Sequence, residues 1–290
     1  MTATAPAGRT VRDLIERDGF VMAPGAYDVL SALLVRRAGF ACAYLTGNGQ
    51  TASTLGAPDL GLITLPEMAE RVRQTSFSTG LPIIVDADTG YGSLLTLQRA
   101  VREFEAGGAS AVQVEDQLLP KKCGHEPGRE VVGVPDMLAR LRAAADARRS
   151  PATMIIARTD ARGTHGLGEA IDRARAYAEV ADACFVESPE SEEELAEIAT
   201  AVAKPMLANM VETGRTPYLP ARRLRELGFK IAIYPVTAML AASAAVLSAL
   251  AELRERGRAE ATLGRMLSLR EYHGVLGFDE AVAKEMSYLR

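Results

Sequence analysis

"PIIVDADTGYGSLLTLQRAVREFEAGGASAVQVEDQ", residues 82–117, holds two short apolar runs on either side of a longer amphipathic segment. Ser93 opens that segment as an N-cap, and Gly107 and Gly108 close it. The flanking runs show no polar/apolar alternation, as expected of strands covered on both faces. The stretch therefore reads as strand, helix, strand, with carboxylates at the end of each strand.

The same unit recurs along the chain. Further strands are expected at "FVMAPG" from Phe20, "ACAYLTG" from Ala41, "TMIIARTDA" from Thr153 and "ACFVESPE" from Ala183. Two more follow at "PMLANMVE" from Pro205 and "IAIYPVT" from Ile231. Helical patterns such as "YDVLSALLVRRAG" and "SEEELAEIATAVA" fill the gaps. Eight strands alternating with helices predict a (β/α)8 barrel, a single α/β domain spanning residues 1–290. Residues 257–290 are expected to form extra C-terminal helices after the barrel closes.

Composition narrows the partners. The chain has 290 residues, 48% of them apolar, with 33 basic against 37 acidic residues and a net charge of -4. It has no basic arm, so neither nucleic acid nor an anionic membrane is an expected partner. Three scattered cysteines, Cys42, Cys123 and Cys184, do not form a disulfide framework and suit a reducing, cytoplasmic setting. Residues 1–10 lack an apolar core and read as a frayed start rather than a signal peptide. Residues 237–253, alanine-rich and broken by serines, are marginal for a membrane span and read as a buried or subunit-facing helix.

Polar residues collect where strands end. Thr46 and Asn48, Asp86 and Asp88, Glu115 and Asp116, Arg158 and Asp160, Glu187, Asn209 and Tyr234 all fall at C-terminal strand ends, while the opposite ends look nearly bare. Barrel active sites are built on that face. Asp86 and Asp88 lie two apart and point the same way. With Glu115 and Asp116 they form a carboxylate group that needs a cation, and oxygen donors favour Mg2+ or Mn2+ over zinc. Asp59 reads equally as an outer carboxylate or a turn residue. No lysine ends a strand, which removes the nucleophile of a Schiff-base aldolase. Arg158 offers a fork for a substrate carboxylate or, alternatively, a salt bridge to Asp160.

"LPKKCGHEPG", residues 119–128, places Cys123 and His125 on a loop among charges. Lys121, Lys122 and His125 are expected to lower the thiol pKa and keep a thiolate available for proton transfer at carbon. The loop reads as a lid.

These blocks resemble the isocitrate lyase and phosphoenolpyruvate mutase superfamily. "KKCGH" resembles its lyase loop, and "VDADTGYG", "EDQ", "IIARTDA" and "LANMVETGRTP" are similar to its other blocks, in the same order. The resemblance implies a (β/α)8 barrel, usually tetrameric, with C-terminal helices exchanged between subunits. It implies Mg2+ on Asp88, with Asp59, Asp86 and Glu115 ordering its waters. It implies that Tyr44, Thr46, Gly47 and Asn48 hold the keto-acid end of the substrate. Arg158, Gly124, His125 and Asn209 would bind carboxylates, Glu187 would sit in the inner polar shell, and Cys123 would protonate the product carbon. The activity implied is cleavage of a small 2-hydroxy dicarboxylate into a 2-keto acid and a carboxylate.

The resemblance departs in two places. "TGNGQTAS" stands where methylisocitrate-cleaving members resemble S-G-G, and "YPVTAMLAAS" has Leu240 where they carry an arginine. A third substrate carboxylate would lack its cation, so an alkylmalate-type dicarboxylate or oxaloacetate is favoured over a tricarboxylate. Both altered blocks are closer to carboxyphosphonoenolpyruvate phosphonomutase and dimethylmalate lyase, which leaves a P–C bond-forming mutase open. A non-catalytic binding barrel is the remaining, more distant alternative.

Overall fold

The computed structural model describes residues 10–126 and 128–289. The frayed start expected at residues 1–10 lies, except for Thr10, outside them. Eight parallel strands close in sequence order: β1 Val21–Ala26, β2 Ala43–Leu45, β3 Ile83–Asp86, β4 Ala111–Glu115, β5 Met154–Thr159, β6 Ala183–Val186, β7 Met206–Asn209 and β8 Ile231–Tyr234. The barrel shuts where β1 pairs with β8, Val21 opposite Ile231. Every residue of β2 to β8 is buried, which accounts for runs without alternation.

The first part of the chain carries α1 Val11–Asp18, α2 Val29–Arg37, α3 Gly47–Leu55, α4 Leu65–Thr79, α5 Leu94–Ala106 and α6 Val134–Ala147. The rest carries α7 Arg162–His165, α8 Leu167–Tyr177, α9 Glu192–Thr200, α10 Ala221–Leu227, α11 Thr237–Arg256, α12 Leu269–Leu276 and α13 Phe278–Tyr288. Ser93 caps α5 by accepting from the Thr96 amide, as its position predicts.

Two apolar shells result. The inner one fills the barrel with side chains such as Ile84, Ile156, Phe185 and Ile233, closed below by Val11 and Leu14 of α1. Burying each such large side chain contributes about 1.5–3 kcal/mol. The outer shell lies between strands and helices and includes Leu97, Phe104, Leu141 and Tyr177. Above the inner shell the barrel turns polar, and the site lies there.

Neither α1 nor the charge at the barrel base was expected. Asp182, just before β6, pairs with Arg12 and Arg148, so that end is not bare. α11 is the one helix among the described residues long and apolar enough to cross a membrane. It packs on β1 and closes the barrel wall. None of its residues is buried, with Leu247 70% exposed, which excludes the buried-helix reading. α12 packs on α2, and α13 leaves Phe278, Val282 and Met286 exposed.

Candidate active site

The ends of β3 and β4 bring three buried carboxylates together. Ligand oxygens of Asp86, Asp88 and Glu115 lie within 4.8 Å of one another. Asp86 is held by the Tyr44 hydroxyl (3.0 Å), Gln113 Nε2 (3.2 Å) and the Asp88 amide (3.2 Å). Asp88 lies just beyond β3 at φ +48, a backbone state that non-glycine residues rarely hold outside functional sites. Both oxygens of Glu115 accept no hydrogen bond. Burial pushes Asp88 up to about 7 and Glu115 well above the usual carboxylate range, against the pull of Lys121 and Arg158 respectively. Buried oxygen donors with unmet acceptor capacity fit a hard divalent cation, which would offset that cost.

Lys121 departs from its expected role. Its ammonium is 3% exposed and reaches Asp59 (2.5 Å) and Asp88 (2.6 Å), so it serves the carboxylates rather than the thiol. A lysine does therefore reach the mouth, delivered by the loop after β4. Asp59 joins the group through this lysine and stands outside the three-carboxylate cluster. Asp116, next to Glu115, points the other way, out of the barrel. It accepts from Thr159 Oγ1 (2.7 Å), Tyr177 OH (2.9 Å) and the Asp160 amide (2.9 Å).

The Cys123 loop folds over the mouth. Gln117 pairs with Val131 in an antiparallel bridge, and its side chain binds both the amide and the carbonyl of Lys122 at 2.9 Å. Lys122 Nζ reaches the Gly128 carbonyl at 3.0 Å. Burial raises the Cys123 thiol and lowers His125, so the expected thiolate is corrected to a protonated thiol beside a neutral imidazole. His125 Nδ1 accepts from the Arg215 amide (3.2 Å), which leaves Nε2 as the protonated nitrogen, 3.6 Å from Glu187 Oε1. Gly124 is required between them, because a Cβ there would sit 2.5 Å from Arg158 Nη2.

Arg158 stands opposite Glu115 in the β4–β5 register. Its Nε and Nη2 grip Asp160 at 2.8 and 2.9 Å, so the alternative pairing foreseen for it is present. Nη1 faces Glu115 at 3.3 Å and is the edge left for a ligand. Glu187 accepts from Asn209 Nδ2 at 3.1 Å. Arg158, Glu187 and Asn209, with Asp59, Asp86, Cys123 and His125, border a cleft of about 420 Å3, part of it open to solvent. Thr46 and Asn48 line one side, and Val211, Ile233, Pro235 and Val236 form an apolar wall. Leu240 is 46% exposed and is not among the lining residues, so the apolar boundary is set nearer the strand than expected.

Residues 11–254 match the family described as phosphoenolpyruvate phosphomutase. The chain belongs to this family. It is 42% identical over 279 residues to 2,3-dimethylmalate lyase of Eubacterium barkeri, covering 96% of each chain. It is 43% identical over 274 residues to 2-methylisocitrate lyase of Aeropyrum pernix, covering 94% of this chain and 88% of that protein. Among solved structures, an oxaloacetate acetylhydrolase in complex with 3,3-difluorooxalacetate matches with TM-score 0.90 and 34% identity, over 95% of this chain and 94% of the other. The chain is thus an enzyme of the PEP mutase/isocitrate lyase superfamily.

Within this PEP mutase family chain, sequence reasoning passed over Gln113, Ser188 and Arg129. Gln113 lies mid-strand and orients Tyr44 (3.2 Å) and Asp86. Ser188 follows Glu187 at φ +60, and Arg129 lies after the quoted loop. Neither strand-end position nor motif marked them.

Proposed function

We propose that this chain is a Mg2+-dependent carbon–carbon lyase that cleaves a small alkylmalate-type 2-hydroxy dicarboxylate to a 2-keto acid and a carboxylate. The observation that carries it is Cys123 lining one cleft with Asp86, His125 and Arg158, next to the buried Asp86–Asp88–Glu115 cluster. Asp88, with Asp86, Glu115 and Asp59 around it, would hold Mg2+. Bound Mg2+ supplies Lewis-acid stabilisation of developing negative charge.

The residues of the chain do the rest. Tyr44, Thr46, Gly47 and Asn48 hold the keto-acid end. Arg158 Nη1, His125 Nε2–H and Asn209 bind the second carboxylate, with Gly124 giving the room. Glu187 fixes Asn209 and faces His125. The C2 hydroxyl loses its proton, the C2–C3 bond breaks, and C2 becomes the ketone. C3 takes the proton of Cys123 Sγ, and the hydroxyl proton restores the thiol, so turnover is proton-neutral. The loop excludes water from the carbanionic carbon. The apolar wall of Val211, Pro235 and Val236 suits an alkyl substituent rather than a third carboxylate.

We also propose that a second copy of this chain covers the exposed apolar faces of α11 to α13, giving a homo-oligomer of up to four copies, with the enzyme cytoplasmic. A panel of alkylmalates, methylisocitrate, isocitrate and oxaloacetate, read by trapping released keto acid, tests the reaction. Keto-acid release from an alkylmalate, abolished by chelator and restored by Mg2+, is expected. Release only from oxaloacetate, or turnover indifferent to chelator, overturns it; inertness to the whole panel points to the mutase.

A further inference from the structure

We propose that Arg129, outside the "KKCGH" block, is a positioning residue that latches the Cys123–Gly124–His125 turn over the site. Its side chain is 1% exposed. Nη1 donates both to the Gly124 carbonyl and to Asp160 Oδ1, the latter at 2.8 Å. The same carbonyl accepts from Ser188 Oγ at 2.6 Å, so two elements on different sides of the mouth hold one peptide unit between the thiol and the imidazole. Ser188 reaches it from the left-handed backbone state at φ +60.

The latch is wired to the ligand clamp. Asp160 Oδ1 accepts from Arg129 at 2.8 Å and from Arg158 Nη2 at 2.9 Å. One carboxylate therefore fixes the arginine facing the substrate and the arginine holding the lid. Asp160 is itself anchored by Asp116 through its amide. A shift of Arg158 towards a bound acid changes what Asp160 offers Arg129, so occupancy and closure share a partner.

Gly163 of α7 supplies an independent mark of the same contact. A Cβ there would lie 2.3 Å from Arg129 Nη2, and the glycine has an ordinary helical backbone that alanine tolerates. Gly163→Ala therefore displaces the guanidinium without removing its charge or touching the loop.

Cys123 provides a readout that needs no substrate. Cys42 and Cys184 are fully buried, so iodoacetamide should reach Cys123 first, as read by mass spectrometry of its peptide. Arg129→Met and Gly163→Ala are expected to speed Cys123 alkylation about tenfold or more, the scale of losing one charge-assisted hydrogen bond. Ser188→Ala should show a smaller rise, and Arg129→Lys should lie between wild type and Arg129→Met. The catalytic consequence rests on the proposed lyase reading: kcat should fall about tenfold with KM changed far less, as for an impaired closure step. Alkylation within about twofold of wild type in Gly163→Ala, with melting unchanged, overturns the latch; that single variant decides if Arg129→Met fails to fold. Faster alkylation in a chain that cleaves none of the panel substrates would uphold the latch and overturn only the proposed reaction.

Discussion

At the barrel base, Asp182 lies between Arg12 and Arg148 and accepts from the Ile155 amide at 2.8 Å, so both its oxygens are matched. At the mouth, Glu115 is more deeply buried, its side chain 1% exposed against 14% for Asp182, yet neither of its oxygens accepts a hydrogen bond. Both ends carry acids beside arginines. Of the two acids only Glu115 leaves its acceptor capacity unspent, and that distinguishes a site built for a ligand from one that joins helices to strands. The pKa directions diverge accordingly. Burial raises Asp88, whereas at Asp182 a shallower burial is outweighed by the amide and two arginines, and the carboxyl falls below its usual range.

The contrast can be broken by substitution. Asp88→Ala should lower turnover by about three orders of magnitude or more, because it removes a candidate metal ligand, while leaving melting near wild type. A comparable loss of melting temperature would show that the mouth acids are structural after all. Cys123→Ser should cost about a hundredfold in kcat, the usual scale for a general acid, with the fold intact. Full turnover in that variant would remove the thiol from the chemistry.

Asp182→Asn should act in the opposite sense. It should cost about 2 kcal/mol of stability, seen as a few degrees of melting temperature, with kcat per folded molecule unchanged. A kcat defect there would erase the distinction between the ends.

The smallest effect is in the pH dependence of the metal-free protein. Asp88 binds its proton more tightly folded (about 7) than unfolded (3.8), so its contribution to stability is present at low pH and fades as pH rises through that window. Asp182, with a lowered value, contributes in reverse and loses its contribution as pH falls. Melting scans from pH 2 to 8 should show stability falling between about pH 4 and 7, a loss that Asp88→Asn removes, and falling again below about pH 4, a loss that Asp182→Asn reduces. Added Mg2+ should stabilise more at pH 8 than at pH 6.

The barrel and the face bearing the site were legible because strand period and strand direction are local properties. Two-residue spacing also placed Asp86 with Asp88, although Asp88 lies past the strand end and joins the cluster through its positive φ. It placed Arg158 beside Asp160 as well, where the consequence was an internal salt bridge. What stayed hidden depended on where a loop folds back. Lys121 stands two residues from the thiol in sequence, yet its chain extends into the carboxylates and leaves the thiol to burial. Asp116 shares a strand end with Glu115 but faces α8, which only the sheet geometry decides.

The closure of β1 on β8 sets a timetable. Val21 finds its partner Ile231 only after about 200 further residues have been made, which takes roughly 10–40 s at ordinary synthesis rates. Throughout that interval the first strand has one open edge. The plug formed by α1 gains its partners in turn, Val11 at Ser110 and Arg12 at Asp182, both before Ile231 is made. β1, made first of the eight strands, is thus the last to be locked between two neighbours.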